Sequence, residues 1–145
     1  MSDIEEEVLR AAADLGLPEA KFRKCGAAEA ADVVSRAKST FVVGDPRSWW
    51  LSLKHASASH PYDTGGHELL VAHVPAHERR CWFIPETEEE LPPVFECDVD
   101  TLAPVLSDCF SFEYYVVGKG FEWLIIDTDH NELIVCSSPH VAADP

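Results

Sequence analysis

Two apolar runs, Phe112-Glu-Tyr-Tyr-Val-Val117 and Phe121-Glu-Trp-Leu-Ile-Ile126, flank the triplet Gly118-Lys119-Gly120. Aromatic and β-branched runs on either side of a short glycine-containing turn predict a β-hairpin. Strand side chains alternate between faces, so Phe112, Tyr114 and Val116 share one face while Tyr115 and Val117 share the other. The second run sets Phe121, Trp123 and Ile125 against Leu124 and Ile126. A single acid interrupts each run, Glu113 and Glu122, which places the hairpin at the centre of a sheet covered on most of both faces.

The rest of the chain supplies the covering elements. Ser2 and Glu5 have capping-box spacing, Ile4, Val8, Ala11, Ala12 and Leu15 follow at helical intervals, and Gly16 stops the run. Ala27 to about Lys38 is alanine-rich and reads as a second helix. Asp45-Pro46 suits a helix entry, predicting a helix over Arg47–Lys54 that carries Trp49, Trp50, Leu51 and Leu53. His55–Gly66 has no periodicity and reads as the longest loop. Strands are expected at Thr40–Val43, Glu68–Val74, Arg80–Ile84, Val94–Cys97 and Leu133–Cys136. Asp98 or Asp100 can cap a helix presenting Leu102, Val105, Leu106 and Cys109. With links too short for parallel crossovers, these elements predict an α+β class: a mainly antiparallel sheet of about six strands, two N-terminal helices and further helices packed on it. No repeat or linker divides the chain, so residues 1–145 are read as a single α+β domain.

An apolar fraction of 46% in 145 residues is ample for a packed core. No apolar run approaches the roughly 20 residues a membrane-spanning helix needs. The opening Met-Ser-Asp-Ile-Glu-Glu-Glu is acidic where a secretory signal would be basic and then apolar, which predicts a cytoplasmic protein. Cys25, Cys81, Cys97, Cys109 and Cys136 are odd in number, widely spaced and set in apolar stretches, the pattern of free buried thiols.

Charge is distributed unevenly. The formal net charge is −15, and residues 81–145 carry 14 acids against one base, Lys119. Phosphate contacts require Lys and Arg, so nucleic acid and anionic membrane are unsuitable partners. A basic protein partner suits this composition, with long-range steering raising the association rate. The densest stretch holds Glu86, Glu88, Glu89, Glu90, Glu96, Asp98 and Asp100. These acids are the expected partner-binding residues, with Asp127 and Asp129 as outlying members and Trp50 as an aromatic anchor.

Catalytic and cofactor motifs are weak by comparison. Asp127-Thr-Asp129-His-Asn131 begins like a calcium loop, but Glu132 stands where the loop needs glycine and Ser138 where it needs a bidentate Glu. Neither Gly65-Gly66 nor Gly118-Lys119-Gly120 has the form of a phosphate loop. No cofactor and no metal site is assigned. The alternative to an interaction protein is a small-ligand or enzymatic domain using the histidine-rich loop, His55, His60 and His67, together with His130.

The hairpin runs, with Asp129-His130-Asn131 beyond them, resemble the C-terminal motif of an uncharacterised family of small bacterial proteins. Trp49-Trp50, Trp82-Phe83-Ile84 and Leu15-Gly16-Leu17 fit the same family, so the likeness covers most of the chain. Such small acidic proteins are similar in style to immunity proteins of bacterial toxin systems, including the SUKH-type group. That resemblance implies an inhibitor that neutralises a basic protein such as a toxin. Asp129 stands where a second histidine beside His130 would be expected.

Overall fold

The computed structural model describes residues 2–46, 48–54, 57–63, 66–128 and 131–137. Helix α1 (Asp3–Asp14) opens with Ser2 accepting from the Glu5 amide at 3.1 Å. It closes on Gly16, whose φ of 67° suits a residue without a Cβ. The Glu5 carboxylate does not complete the capping box but binds Lys24 Nζ at 2.6 Å. A three-residue strand, β1 (Phe22–Lys24), then carries the chain across the sheet edge to α2 (Ala27–Phe41). Next come β2 (Ser57–Pro61), α3 (Gly66–His73), β3 (Arg80–Pro85), β4 (Phe95–Asp98) and α4 (Leu102–Ser107). Strands β5 (Tyr114–Gly118), β6 (Trp123–Thr128) and β7 (Glu132–Ser137) complete the chain.

Among the described residues the strands form one sheet in the order β1-β4-β3-β5-β6-β7-β2, and every pair is antiparallel. The expected hairpin is the β5–β6 pair, with Val117 opposite Leu124 and Tyr115 opposite Ile126. All its residues are buried because both faces are covered. On one face Phe83, Tyr114, Val116 and Ile125 pack beneath α1, α3 and α4. On the other, Ile84, Tyr115, Leu124 and Ile126 pack against Val33, Ala37 and Phe41 of α2. The two N-terminal helices therefore lie on opposite faces, and β1 is the strand that separates them.

Several local expectations change. Glu68–His73 is helical, not extended, because Leu70 and Val74, one turn apart, both enter the core above the sheet. Thr40 belongs to the last turn of α2, where its hydroxyl donates to the Arg36 carbonyl at 2.8 Å. The Arg47–Lys54 helix contracts to a single 3₁₀ turn, Trp49–Leu51, and Arg47 lies outside the described residues. Asp45 pairs with Lys38 at 2.7 Å rather than capping that turn. The expected loop contains β2, an edge strand zipped onto β7. Neither Asp98 nor Asp100 caps α4; both carboxylates turn to arginines instead. The β5–β6 turn extends to Phe121, which adopts a left-handed φ of 59° while its ring stays buried.

Candidate functional site

Strands β3 and β5 are neighbours, and the residues at their ends fall side by side. The Glu86 amide donates to the Glu113 carbonyl at 2.9 Å, which sets the two carboxylates at one rim of the sheet. Hydroxyls from Ser48 and Tyr115 each donate to Glu86 Oε1 at 3.0 Å. The Trp50 indole donates to Glu113 Oε1 at 3.2 Å. The tryptophan pair divides its work: Trp49 stacks on Tyr115 with ring centroids 4.2 Å apart, and Trp50 stays half-exposed.

In front of this rim opens a groove of about 1230 Å³. Trp50, Phe110, Phe112 and Ile4 supply apolar surface, and Asp3, Glu86, Glu88, Glu89 and Glu113 supply carboxylates. Among the described residues no Lys or Arg lines it. Phe110 is 51% exposed at its mouth, crossing Phe112 edge to face at 6.2 Å. Glu90 is exposed on the far side of the same loop, beside Pro92 and Glu89.

The acidic segment is thus split into two parts with different surroundings. Glu86, Glu88 and Glu89 face the groove. Glu96 instead sits among three cations, bound by Lys119 at 2.7 Å, by Arg80 at 3.0 Å and by Arg23. Burial acts to raise its pKa, but the bonds from Lys119, Arg80 and Arg23 together outweigh it and bring the value down to about 2. Asp98 pairs with Arg80 at 2.7 Å and Asp100 with Arg79 at 3.5 Å. Nothing in residue spacing separates these two groups of acids. The difference follows from β1 and β3 bringing Arg23 and Arg80 alongside β4.

Asp127 lies elsewhere again, only 5% exposed on β6. It lines a small cavity of about 180 Å³, where the Tyr62 hydroxyl donates to its Oδ1 at 2.6 Å. Burial raises its pKa, and the hydroxyls of Tyr62 and Tyr114 with nearby His67 oppose that rise. Asp129, His55 and His130 lie outside the described residues. His67 reaches the cavity, whereas His60 packs on His73 with ring centroids 4.1 Å apart. Among the described residues no three His, Cys, Asp or Glu side chains gather in a way that could hold a metal ion. Alternation places Phe112 and Glu113 in the hairpin strand and is silent on Phe110, and only the strand ends reveal all three as groove residues.

A model of a family of unknown function, DUF6756, matches residues 1–143. The chain belongs to this family. No curated protein and no solved structure matches it. The expectation of an uncharacterised family is met, and membership leaves activity unassigned. Among the described residues no helix is long and apolar enough to cross a membrane.

Proposed function

We propose that this protein is an interaction domain whose groove binds a cationic segment of a basic protein. The observation that carries the reading is the pairing of an aromatic floor, Trp50, Phe110 and Phe112, with carboxylates from three separate parts of the chain. Asp3, Glu86, Glu88 with Glu89, and Glu113 converge there, where the Ser48 and Tyr115 hydroxyls donate to Glu86 and the Trp50 indole donates to Glu113. A Lys or Arg side chain would gain both the carboxylates and the aromatic faces. The strong negative charge of residues 81–145 would steer such a partner toward this side.

An inhibitor of the immunity type, blocking a basic protein such as a bacterial toxin in the cytoplasm, is the biological role we attach to this binding. The alternative, a small-ligand or catalytic domain built on the His55–His67 loop, has one observation in its favour, the presence of His67 beside Asp127.

The test is titration with a ten-residue Arg/Lys peptide and with a Glu-rich peptide of equal length. The basic peptide should bind saturably, weaken as salt rises, and lose affinity in the Glu88→Gln/Glu89→Gln variant. Equal affinity of wild type and variant for the basic peptide would overturn the reading.

A further inference from the structure

The cavity under α3 and α4 is separate from the groove, divided from it by the Phe110–Phe112 wall that both share. At its floor stand three groups from distant parts of the chain: Tyr62 after β2, Tyr114 at the start of β5 and Asp127 on β6. Their meeting depends on Gly66. A Cβ at that position would lie 2.6 Å from the Tyr62 ring, so only glycine leaves room for the ring beside the start of α3.

Two features of this floor are unusual for a packed interior. First, Asp127 is buried with Tyr62 as its hydrogen-bond donor, and no Lys or Arg among the described residues lines the cavity. Buried carboxylates ordinarily have a cation or several donors, because losing hydration is costly. Second, the Tyr114 hydroxyl makes no well-formed hydrogen bond and no donor reaches its oxygen, on a residue only 1% exposed. It lies beside Asp127, and after burial itself the carboxylate's charge and its acceptor oxygen raise the hydroxyl's pKa. Buried hydroxyls are nearly always satisfied, so the free acceptor capacity of this oxygen marks a place for a donor.

We propose that this cavity is a binding site for a small primary alkylammonium group. An ammonium carries three donors and a charge. It can give one bond to the Asp127 carboxylate and another to the Tyr114 oxygen, which supplies a cation to the first and a donor to the second. Tyr62, Tyr114 and Phe112 bring aromatic rings to the cavity wall, and Leu106 with Phe110 suits a short alkyl stem. An anion is excluded by the carboxylate. The volume admits a short amine and excludes folded peptide. The proposal stands on the cavity alone and does not depend on the groove.

The experiment is calorimetric titration of the full-length protein with n-butylammonium chloride, 1-butanol, butyramide and sodium butyrate, each with a thermal-melt readout. Butylammonium should bind saturably and raise Tm, with no response to the other three. Asp127→Asn should weaken it by about ten-fold or more, and Tyr114→Phe by a smaller factor. Glu88→Gln/Glu89→Gln should leave it unchanged, so failure of the groove reading and failure of this one are distinguishable. Circular dichroism confirms that each variant is folded. If Asp127→Asn does not fold, the comparison of the four compounds on wild type still decides. Absence of saturation into the millimolar range, with the cavity then holding only water, would overturn the proposal. So would butyramide binding as tightly as the amine, or folded variants that bind like wild type.

Discussion

The Trp50 indole N–H donates to Glu113 Oε1 at 3.2 Å, joining the 3₁₀ turn after α2 to the start of β5. The bond holds a half-exposed aromatic ring upright as one wall of the groove above a carboxylate that strand pairing has buried. Trp50→Ala should weaken binding of an Arg/Lys peptide by about ten-fold, as expected for an aromatic anchor. Trp50→Phe, which keeps apolar surface but no donor, should retain an intermediate affinity. Titration of both variants checks this, and equal affinity of wild type and Trp50→Ala would remove Trp50 from the site.

The two halves of the acidic segment should respond differently to neutralisation. Glu88→Gln/Glu89→Gln should slow association with a basic peptide and flatten its salt dependence, with little change in Tm. Glu96→Gln should leave association nearly intact and destabilise the fold by roughly 2 kcal/mol, because Lys119, Arg80 and Arg23 lose a shared partner. Stopped-flow kinetics and denaturant melts separate the two effects.

Glu96 also fixes a pH dependence. Its folded pKa of about 2 lies below the ordinary value of 4.5, so the unfolded chain takes up the proton first on acidification. The stabilisation is present above pH 4.5 and is lost as pH falls toward 2. Denaturant midpoints measured across that window should fall steeply for wild type and less steeply for Glu96→Gln.

A second pH response comes from the His60–His73 pair. Burial, and then the neighbouring His60, lower the His73 pKa from 6.5, so the neutral ring is the form that the fold favours. Its contribution is full above pH 6.5 and declines as pH falls through the lowered folded value. Tm should therefore drop on mild acidification, and His73→Gln should flatten that part of the profile.

Gly118 and Gly120 flank Lys119 and should differ sharply on substitution. A Cβ at Gly118 would run into the Trp123 indole, whose N–H is tied to Glu78 Oε1 at 3.2 Å and cannot easily retreat. Gly118→Ala should cost about 1–3 kcal/mol as an overpacking change. At Gly120 the nearest atom is the flexible Glu122 carboxylate at 3.2 Å, so Gly120→Ala should cost much less. Urea melts of the two variants give the comparison.

Elements whose pattern is local were legible in the sequence. Ser2, the apolar stripe of α1 and Gly16 define that helix within a single turn of each end. The alternation of Tyr114–Val117 against Trp123–Ile126 places the hairpin at the sheet centre, because a ribbon apolar on both faces can be buried only between layers. Short apolar runs were ambiguous. Leu69-Leu70-Val71 fits either period over so few residues, and it became helical because its place in the fold lies above the sheet. Strand β2, with Ser, Ala and His, carries no strand signal and forms because β7 offers it an unpaired edge.

The hairpin core, the α+β class and the excess of acid followed from the sequence alone, since burial, periodicity and charge are properties of neighbouring residues. What only the tertiary structure decided is which acids face solvent and which face cations. Glu88 and Glu96 are indistinguishable by type, and Arg23, Arg80 and Lys119 reach Glu96 only after β1, β3 and β4 pair. The same holds for Asp127, which meets Tyr62 across 65 residues of chain. Electrostatic surroundings act through space, and the strand order that brings these groups together has no local signature.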